Sequence, residues 1–442
     1  MAKKIHSPKV VADPIYGIID IRPVVKMVDT PEFQALGDKR QLGMSYLTFP
    51  SAMHSRKAHS LGAYYATRKL ADQWISYGFI TAREGDALAV YALYHDIGHP
   101  AFSHVTEILC PMPAGISARE ARGMSANTAL SLDIIRRRRH EIEACGIDFK
   151  LLESFAQHAN PLHLAVSDKN LGMEKLDYLE RDGLATILSR PVGVDYLREH
   201  IYFADGKIVI DEKVADNAIE VQDFYLKMYK NVYLRKASAI AQRMLQKMTY
   251  RMIEAGELSG ADLTNLTDSE LLGLMRLSRE PSVQKMYSLF KARDFYREAI
   301  VIRPQRFMDT EAKAQGAKGT AVFGVSKSEI ARLANSPALR ATNQSGLAEI
   351  EDHIAAIAGI PQGSVLIAPI TSTNRFEAQD ILIYQGPGKK PASLKARYPA
   401  HFKNIEEIAE TYLAFRVCTL ERYRKALSAP RVAKKVFDLL VK

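Results

Sequence analysis

Apolar residues recur every three or four positions from about residue 20 to residue 300, with few prolines and little strand-like alternation. That period is typical of amphipathic α-helices, so we predict a helical region. The exception is Ile201–Ile210, where Asp205-Gly206 separates two β-prone runs. Because Asp-Gly between such runs is a strong hairpin signal, we predict one small β-hairpin within the helical bundle.

The pattern changes after Pro304. Short β-prone runs occur at 299–303, 320–323 and 364–368, and a helical stretch at 347–357 lies between them. These elements predict a smaller α+β region. The fold class expected for the whole chain is therefore mainly α, with a C-terminal α+β region.

Turn-forming residues divide the rest of the chain. The segment Gln385–Pro391 is dense in glycine and proline and precedes a helical pattern at about 403–440. We therefore predict three parts, which are residues 1–300, a small α+β domain at 301–385 and a C-terminal helical segment at 386–442.

Composition narrows the class of protein. Hydrophobic residues make up 47% and charged residues 25% of the chain, which is typical of a globular protein. The three cysteines, Cys110, Cys145 and Cys418, are far apart and favour neither a disulfide framework nor a zinc knuckle. No apolar run is long enough to span a bilayer, and the first residues lack an apolar signal core. We expect a cytoplasmic protein without membrane contact.

The net charge of +10 favours polyanionic partners, either a nucleic acid or a small triphosphate. The run Arg136–Arg139 could form a nucleic-acid patch. On a helix, however, its side chains point around most of the circumference, so a solvated face is the better interpretation. Nucleic acid is the less favoured partner.

A candidate metal site follows a buried helix. Residues 87–94 are apolar all round and lead directly into His95-Asp96, with Gly98 placed to end the helix. Burying an imidazole and a carboxylate is costly unless they share a partner such as a divalent cation. The alternative is a histidine that binds a neighbouring backbone group. His59, in the first turn of another amphipathic stretch, is a further candidate ligand.

Several ordered motifs resemble those of one family. They are Asp13–Gly17, Val28–Gln34, Gln41–Gly43, Phe49–Gly62 and Tyr94–His104, followed more thinly by Lys175–Tyr178 and Ile360–Pro369. Together they resemble the deoxynucleoside triphosphate (dNTP) triphosphohydrolases of the HD superfamily over residues 9–380 or so. The resemblance implies an HD-domain helical bundle with a metal site within about 56–182.

The resemblance implies the ligand set. His59, His95 and Asp96 match metal ligands, and the fourth position, an aspartate in the family, falls on Glu174. Glutamate is an acceptable ligand that is one methylene longer, and Asp177 is the fallback. The expected cofactor is a divalent ion, either Mn, Mg, Fe or Zn.

The resemblance also implies a reaction, in which metal-bound water attacks the α-phosphate of a dNTP and releases deoxynucleoside and triphosphate. By this resemblance, Tyr178 would crowd the sugar, and Asp182 would accept the 3′-hydroxyl of the sugar. The positions that match substrate-binding residues are Gln41, Leu42, Arg56, Lys175, Tyr178, Asp182 and Lys230.

The acid that protonates the leaving oxygen is the main departure. His99 and His104 match histidines beside the phosphates, and Glu107 matches the carboxylate that holds the family's acid. Asn127 falls at the position of that acidic histidine, and an amide cannot deliver a proton at neutral pH. Three interpretations follow: His99, His104 or a chain of water molecules serves as the acid, or activity is low, or the local alignment at Asn127 is shifted.

Partners and alternatives follow from the same resemblance. We expect a homo-oligomer, either a dimer, a tetramer or a hexamer, and an allosteric nucleotide. Val10, Asp29 and Gln34 match the family's activator site, but Gly37 replaces an arginine there. An antiviral role is known in the family. The competing functions are a catalytically weak nucleotide sensor and an HD nuclease.

Overall fold

The computed structural model describes residues 8–310, 319–370 and 378–441. Within them, helices dominate and the strands are short, as the mainly α prediction requires. The helices are α1 Val25–Val28, α2 Pro31–Ala35, α3 Arg56–Ser76, α4 Ala82–Tyr94, α5 Ala126–Arg137, α6 Arg139–Glu143, α7 Phe149–Ala156, α8 Leu164–Ser167, α9 Met173–Thr186, α10 Val194–Arg198, α11 Ala215–Met228, α12 Lys236–Glu254, α13 Asp268–Leu277, α14 Pro281–Lys291, α15 Gln305–Thr310, α16 Lys327–Asn335, α17 Gln344–Ala358, α18 Leu394–Arg397, α19 Pro399–Thr411, α20 Glu421–Leu427 and α21 Pro430–Val441. The strands are β1 Val10–Asp13, β2 Gly17–Asp20, β3 Ile201–Ala204, β4 Lys207–Ile210, β5 Arg297–Pro304, β6 Ala321–Val325, β7 Val365–Ala368, β8 Leu382–Ile383, β9 Ala392–Ser393 and β10 Phe415–Thr419. Within the described ranges, no helix is long and apolar enough to cross a membrane.

The chain forms two compact units. The first takes in the described residues of Met1–Met228, Gly260–Leu271 and Gln379–Pro399, and the second takes in those of Tyr229–Ser259, Leu272–Ala378 and Ala400–Lys442. The boundaries at 300 and 385 stay predictions. These units divide the chain differently, because segments distant in sequence pack within each of them.

The first unit is a helical bundle built around α3, α4 and α9. Thr81 and Glu84 form a capping box that starts α4, and its last turns are buried on all sides. Trp74 of α3 is fully buried and donates from Nε1 to the carbonyl of Ile201, 2.8 Å away. That bond ties α3 to the β3–β4 hairpin, which has the predicted Asp205-Gly206 turn.

The second unit contains a four-stranded sheet in the order β6-β5-β10-β7. The predicted strands near 299, 320 and 364 are present as β5, β6 and β7. The prediction of a wholly helical segment at 403–440 was wrong, because Phe415–Thr419 forms β10 between β5 and β7. All five of its residues are buried, so this strand supplies core that the helical pattern did not reveal.

Side chains cover the outer edge of β7. Arg243 donates from Nε to the carbonyl of Ile367 at 3.0 Å, and the amide of Ile367 donates to Glu351 Oε1 at 2.8 Å. Lys247 donates to Glu351 Oε2 at 2.5 Å and to the carbonyl of Val365 at 3.4 Å. The three charged side chains therefore satisfy the edge that a further strand would otherwise pair with.

Removing the charge of Glu351 should destabilise the second unit, because Arg243 and Lys247 would lose the one carboxylate that they contact among the described residues. We expect Glu351→Gln to cost about 3 kcal/mol, measured as a lowered midpoint in urea unfolding followed by circular dichroism. The control is Glu349→Gln, an exposed position on the same helix. Equal midpoints for the two variants would contradict the proposed edge cover.

Candidate active site

Three side chains with metal-ligating atoms meet where α3 begins and α4 ends. His59 lies in the first turn of α3, while His95 and Asp96 directly follow α4. The Nε2 atoms of the two histidines are 3.2 Å apart. Asp96 oxygens lie 3.8 Å from His59 Nε2 and 3.5 Å from His95 Nε2. Two imidazoles and a carboxylate in this arrangement could hold a divalent ion, and the imidazoles suit Fe or Zn better than Mg.

The other nitrogen of each ring fixes how the two rings are oriented. His59 Nδ1 lies 2.7 Å from Asp177 Oδ2, and His95 Nδ1 lies 2.7 Å from the carbonyl of Ala92. Both acceptors require Nδ1 to carry a proton, so in the neutral form of each ring Nε2 presents a lone pair. Two lone pairs 3.2 Å apart repel each other unless a cation lies between them. The donor set therefore fits a metal ion.

Asp96 is ionised although it is buried. Burial opposes its ionisation, but His95 and Arg56 outweigh this effect and hold the pKa of Asp96 well below its usual range. Arg56 is also buried, donates to Asp96 Oδ2, and binds Ser103 Oγ at 2.5 Å. For His95, burial alone would lower the pKa, but Asp96 and Glu174 together raise it.

Asp177 lies behind His59 and belongs to a buried chain of charges. Arg181 donates to both of its oxygens, at 3.1 and 2.9 Å, and reaches Asp13 Oδ2 at 2.9 Å. Although burial opposes ionisation of Asp177, Arg181 and His59 hold its pKa well below the usual range. A Cβ atom at Gly62 would overlap Asp177 and Arg181, so the absence of a side chain there lets α3 and α9 approach each other.

The two candidates for the fourth ligand therefore have different surroundings. Asp177 is completely buried and engaged by His59 and Arg181, whereas Glu174 is half-buried, one turn earlier on α9. The charge of Glu174 contributes to the raised pKa of His95. Tyr178 is half-buried one turn beyond Glu174, with its ring centroid 6.3 Å from that of His59. The assignment of the fourth ligand stays a prediction, and this geometry favours Glu174.

Gly98 permits a close approach instead of ending α4. The helix ends at Tyr94, and a Cβ atom at Gly98 would overlap backbone atoms of α5. The Gly98 amide donates to Ser131 Oγ at 3.0 Å, and that hydroxyl donates to the carbonyl of His95 at 2.9 Å. Helix α5 thereby fixes the turn that carries His95 and Asp96.

The loop after this turn is strained and held by buried charges. Phe102 and Ser103 have φ of 57° and 53°, a left-handed conformation that is costly for residues with a side chain. Asp268 accepts from the amide of Phe102 at 2.6 Å, and Lys39 donates to the carbonyl of His99 at 2.7 Å. These contacts hold His99, whose Nε2 lies 3.2 Å from Asp96 Oδ1.

The two loop histidines differ in environment. Burial, and next the Arg56 guanidinium, lower the pKa of His99 to about 3, so His99 is neutral at pH 7. His104 is largely exposed, and its Nδ1 lies 2.8 Å from Glu107 Oε2. The other oxygen of Glu107 accepts from the amide of Asn127 at 3.0 Å, near the start of α5. His104 is therefore a histidine held by a carboxylate, as the resemblance requires of the acid.

The predicted phosphate-binding lysines lie in different units. Lys175 is buried on α9, donates to the carbonyl of Lys169 at 2.6 Å, and lies 3.5 Å from the centroid of the Tyr225 ring. Burial lowers the pKa of Lys175 to about 7. Lys230, in the second unit, lies over the ring of Tyr412 at 5.4 Å. Its contact with phosphate stays a prediction.

On the predicted nucleoside side, the structure adds a residue that the motifs did not single out. Asp182 is buried and accepts from His54 Nε2 at 2.8 Å. The carbonyl of His54 accepts from the amide of Gln41 at 3.0 Å, and Leu42 follows in the same segment. Hydrogen bonds therefore link Gln41, His54 and Asp182, although Asp182 is far from the other two in sequence.

Nearby carboxylates neutralise the charge of the arginine run at 136–139. Each of its four side chains pairs with carboxylates, among them Glu120, Asp133, Glu32 and Glu143. Exposed pairs of this kind contribute little stability, but they cancel the charge that a phosphate backbone would bind. This agrees with the preference for a solvated face.

Family comparisons agree with this geometry. The HD domain family matches residues 56–185, and the HD-associated region matches residues 192–338. The chain therefore contains an HD domain followed by an HD-associated region, and the cluster of His59, His95 and Asp96 lies inside the HD domain. The predicted resemblance to the HD superfamily and the mainly α fold class are confirmed.

Individual proteins are similar to this chain over different lengths. The chain is 27% identical over 303 residues to the deoxynucleoside triphosphate triphosphohydrolase SAMHD1 homolog of Dictyostelium discoideum, covering 64% of this chain and 58% of that protein. It is 41% identical over 102 residues to SAMHD1 of Gallus gallus, covering 22% and 16%. A phosphohydrolase structure from Bacteroides thetaiotaomicron shares the fold, with a TM-score of 0.67, 22% identity and coverage of 93% and 100%. Three relatives, among them the Dictyostelium protein, are matched over 55 to 58% of their own length, so this chain spans little more than half of each.

Filling the space at Gly62 should disturb the metal centre from behind. We expect Gly62→Ala to push Asp177 away from His59 and lower metal content at least about tenfold, the effect typical of losing a partner behind a ligand. Metal content is measured by mass spectrometry after dialysis. Gly273→Ala is the matched control, because that glycine has open space around it. Unchanged metal content in Gly62→Ala would contradict the role given to Asp177.

Proposed function

We propose that the protein is a metal-dependent phosphohydrolase that splits dNTPs into deoxynucleoside and triphosphate. The observation that carries this proposal is the pair of Nε2 atoms 3.2 Å apart, with Asp96 beside both rings. The similarity to the Dictyostelium deoxynucleoside triphosphate triphosphohydrolase homolog supports the choice of substrate. A homo-oligomer and a nucleotide activator, both expected from the family resemblance, and a cytoplasmic location, expected from the composition, are further parts of the proposal.

In the proposed site, His59, His95 and Asp96 hold the ion, and Glu174 completes the set from α9. A bound divalent cation supplies an activated water near neutral pH and withdraws charge from the phosphate. Arg56 would exchange part of its contact with Asp96 for a phosphate oxygen, since both are anionic oxygen acceptors. Lys175 would regain full charge beside a triphosphate, because an anion opposes the effect of burial on its pKa.

His104 is the proposed acid for the leaving 5′-oxygen. Glu107 fixes the proton on His104 Nδ1, and the exposed ring leaves Nε2 open to solvent and ligand. A proton on that Nε2 could pass to the oxygen as the bond to phosphorus breaks. Asn127 contributes its backbone amide to Glu107 and needs no acidic side chain in this arrangement.

On the sugar side, Tyr178 and Asp182 are proposed to select deoxynucleotides. Tyr178 projects from α9 one turn beyond Glu174 and, by resemblance, fills the space that a 2′-hydroxyl would need. Asp182, one turn further, would accept the 3′-hydroxyl. Both residues and the candidate ligand therefore belong to consecutive turns of one helix, which sets their spacing.

Removal of Asp96 tests the proposed reaction. The wild type should convert a dNTP in ¹⁸O-water to unlabelled deoxynucleoside and labelled triphosphate, resolved by ion exchange and mass spectrometry. Asp96→Ala should lower turnover at least about a thousandfold, because a ligand and the metal-bound water are lost together. Asp72→Ala, an exposed position on α3, is the control.

Other products would identify the competing functions. Tight dNTP binding without turnover in the wild type would favour the sensor, and cleavage of an end-labelled oligonucleotide without dNTP turnover would favour the nuclease. Label in the nucleoside would place the attack at carbon and contradict the proposed mechanism.

Shortening Glu174 tests the fourth ligand. We expect Glu174→Asp to change the ratio of Mn-supported to Mg-supported turnover by about tenfold, because the carboxylate would bind from a different distance. Asp223→Glu, an exposed position on α11, is a control for acidic substitution outside the site. An unchanged metal ratio in Glu174→Asp would point to Asp177.

A further inference from the structure

We infer that His54 positions the carboxylate of Asp182, so that discrimination in favour of a 3′-hydroxyl depends on His54. This inference rests on the proposed function, in which Asp182 accepts that hydroxyl. His54 acts through Asp182 and is a positioning residue. Neither the spacing of the motifs nor the metal centre assigns it this part.

The contact is short and sheltered. His54 Nε2 lies 2.8 Å from Asp182 Oδ1, and the side chains are 12% and 3% exposed. A hydrogen bond to an ionised carboxylate is stronger than one between neutral groups, and a low dielectric strengthens it further. This bond holds one oxygen of Asp182 in place, and with it the direction of the other oxygen.

The backbone of His54 is itself fixed on both sides. Its carbonyl accepts from the amide of Gln41 at 3.0 Å, and the next residue, Ser55, bridges to Arg40 and caps α3. The Arg40 amide donates to the buried Asp268 at 2.9 Å. His54 thus joins the segment that carries Gln41 to the helix that carries Asp182.

Two buried atoms near this contact have no hydrogen-bond partner among the described residues. They are His54 Nδ1 and Gln41 Oε1. When Nε2 of a neutral histidine donates to a carboxylate, Nδ1 is an acceptor, so both atoms need a donor. Buried polar atoms without a partner are rare in folded proteins, so the segment around Gln41 and His54 differs from ordinary packing.

Two substitutions separate positioning from simple packing. In His54→Gln, the amide nitrogen reaches about as far as Nε2 and can still donate to Asp182. In His54→Asn, the amide nitrogen reaches only as far as Nδ1. The measurement is kcat/KM for the dNTP that the wild type hydrolyses fastest and for its 2′,3′-dideoxy analogue, with equilibrium binding of both nucleotides recorded in parallel.

We expect His54→Asn to lower kcat/KM for the dNTP by about 10- to 100-fold, the range for losing a hydrogen bond to a charged group. The value for the dideoxy analogue should change less than about twofold, because that analogue has no hydroxyl for Asp182 to accept. His54→Gln should retain most of the wild-type preference. His140→Asn, at an exposed histidine, controls for loss of an imidazole.

The inference would be overturned if His54→Asn lost kcat/KM equally for both nucleotides, or if it kept the wild-type kcat/KM for both. Failure of the proposed function gives a different result. If the wild type binds dNTPs without hydrolysing them, the hydrolase proposal fails and the ratio of the two affinities decides the part of His54. If the wild type binds neither nucleotide, both proposals are overturned.

Discussion

A buried histidine must satisfy both ring nitrogens, and this requirement organises the candidate active site. Asp177 accepts a hydrogen bond from Nδ1 of His59, and the carbonyl of Ala92 accepts one from Nδ1 of His95. The Nε2 atoms are then directed at one point, since the two nitrogens of an imidazole point in different directions. Without these two acceptors the rings could rotate, and the same three residues would no longer define a metal site.

Satisfying His59 creates a further requirement. Asp177 is a buried anion, and a buried anion needs a cation and hydrogen bonds. Arg181 supplies both and is itself held by Asp13 at the end of β1. The orientation of one candidate metal ligand, His59, therefore depends on a hairpin near the start of the described chain. Gly62 is part of this requirement, because only a residue without a side chain leaves space for the pair.

The sequence predicted the elements whose signals are local. The hairpin at 201–210 has its turn residues between two β-prone runs, and the buried helix before His95 is continuously apolar. Strand β10 was missed because Phe415–Thr419 is short and contains Arg416, whose charge is compensated by Glu298, 118 positions away. The ligand candidates came from motifs, whereas Arg181, Asp268 and His54 act across distances in sequence that spacing cannot reveal. Long-range pairing of charges is a property of the packed chain, so no window of sequence contains it.

In the proposed mechanism, the backbone at Asn127 contributes although its side chain is no acid. The amide of Asn127, near the start of α5, donates to Glu107, and the N-terminus of a helix favours a nearby negative charge. Burial opposes ionisation of Glu107, but His104 and this amide outweigh it and lower the pKa of Glu107 to about 2. An ionised Glu107 keeps the proton of His104 on Nδ1 at any pH near neutrality. The fold therefore needs only the backbone at position 127 to hold a histidine ready on the neighbouring loop.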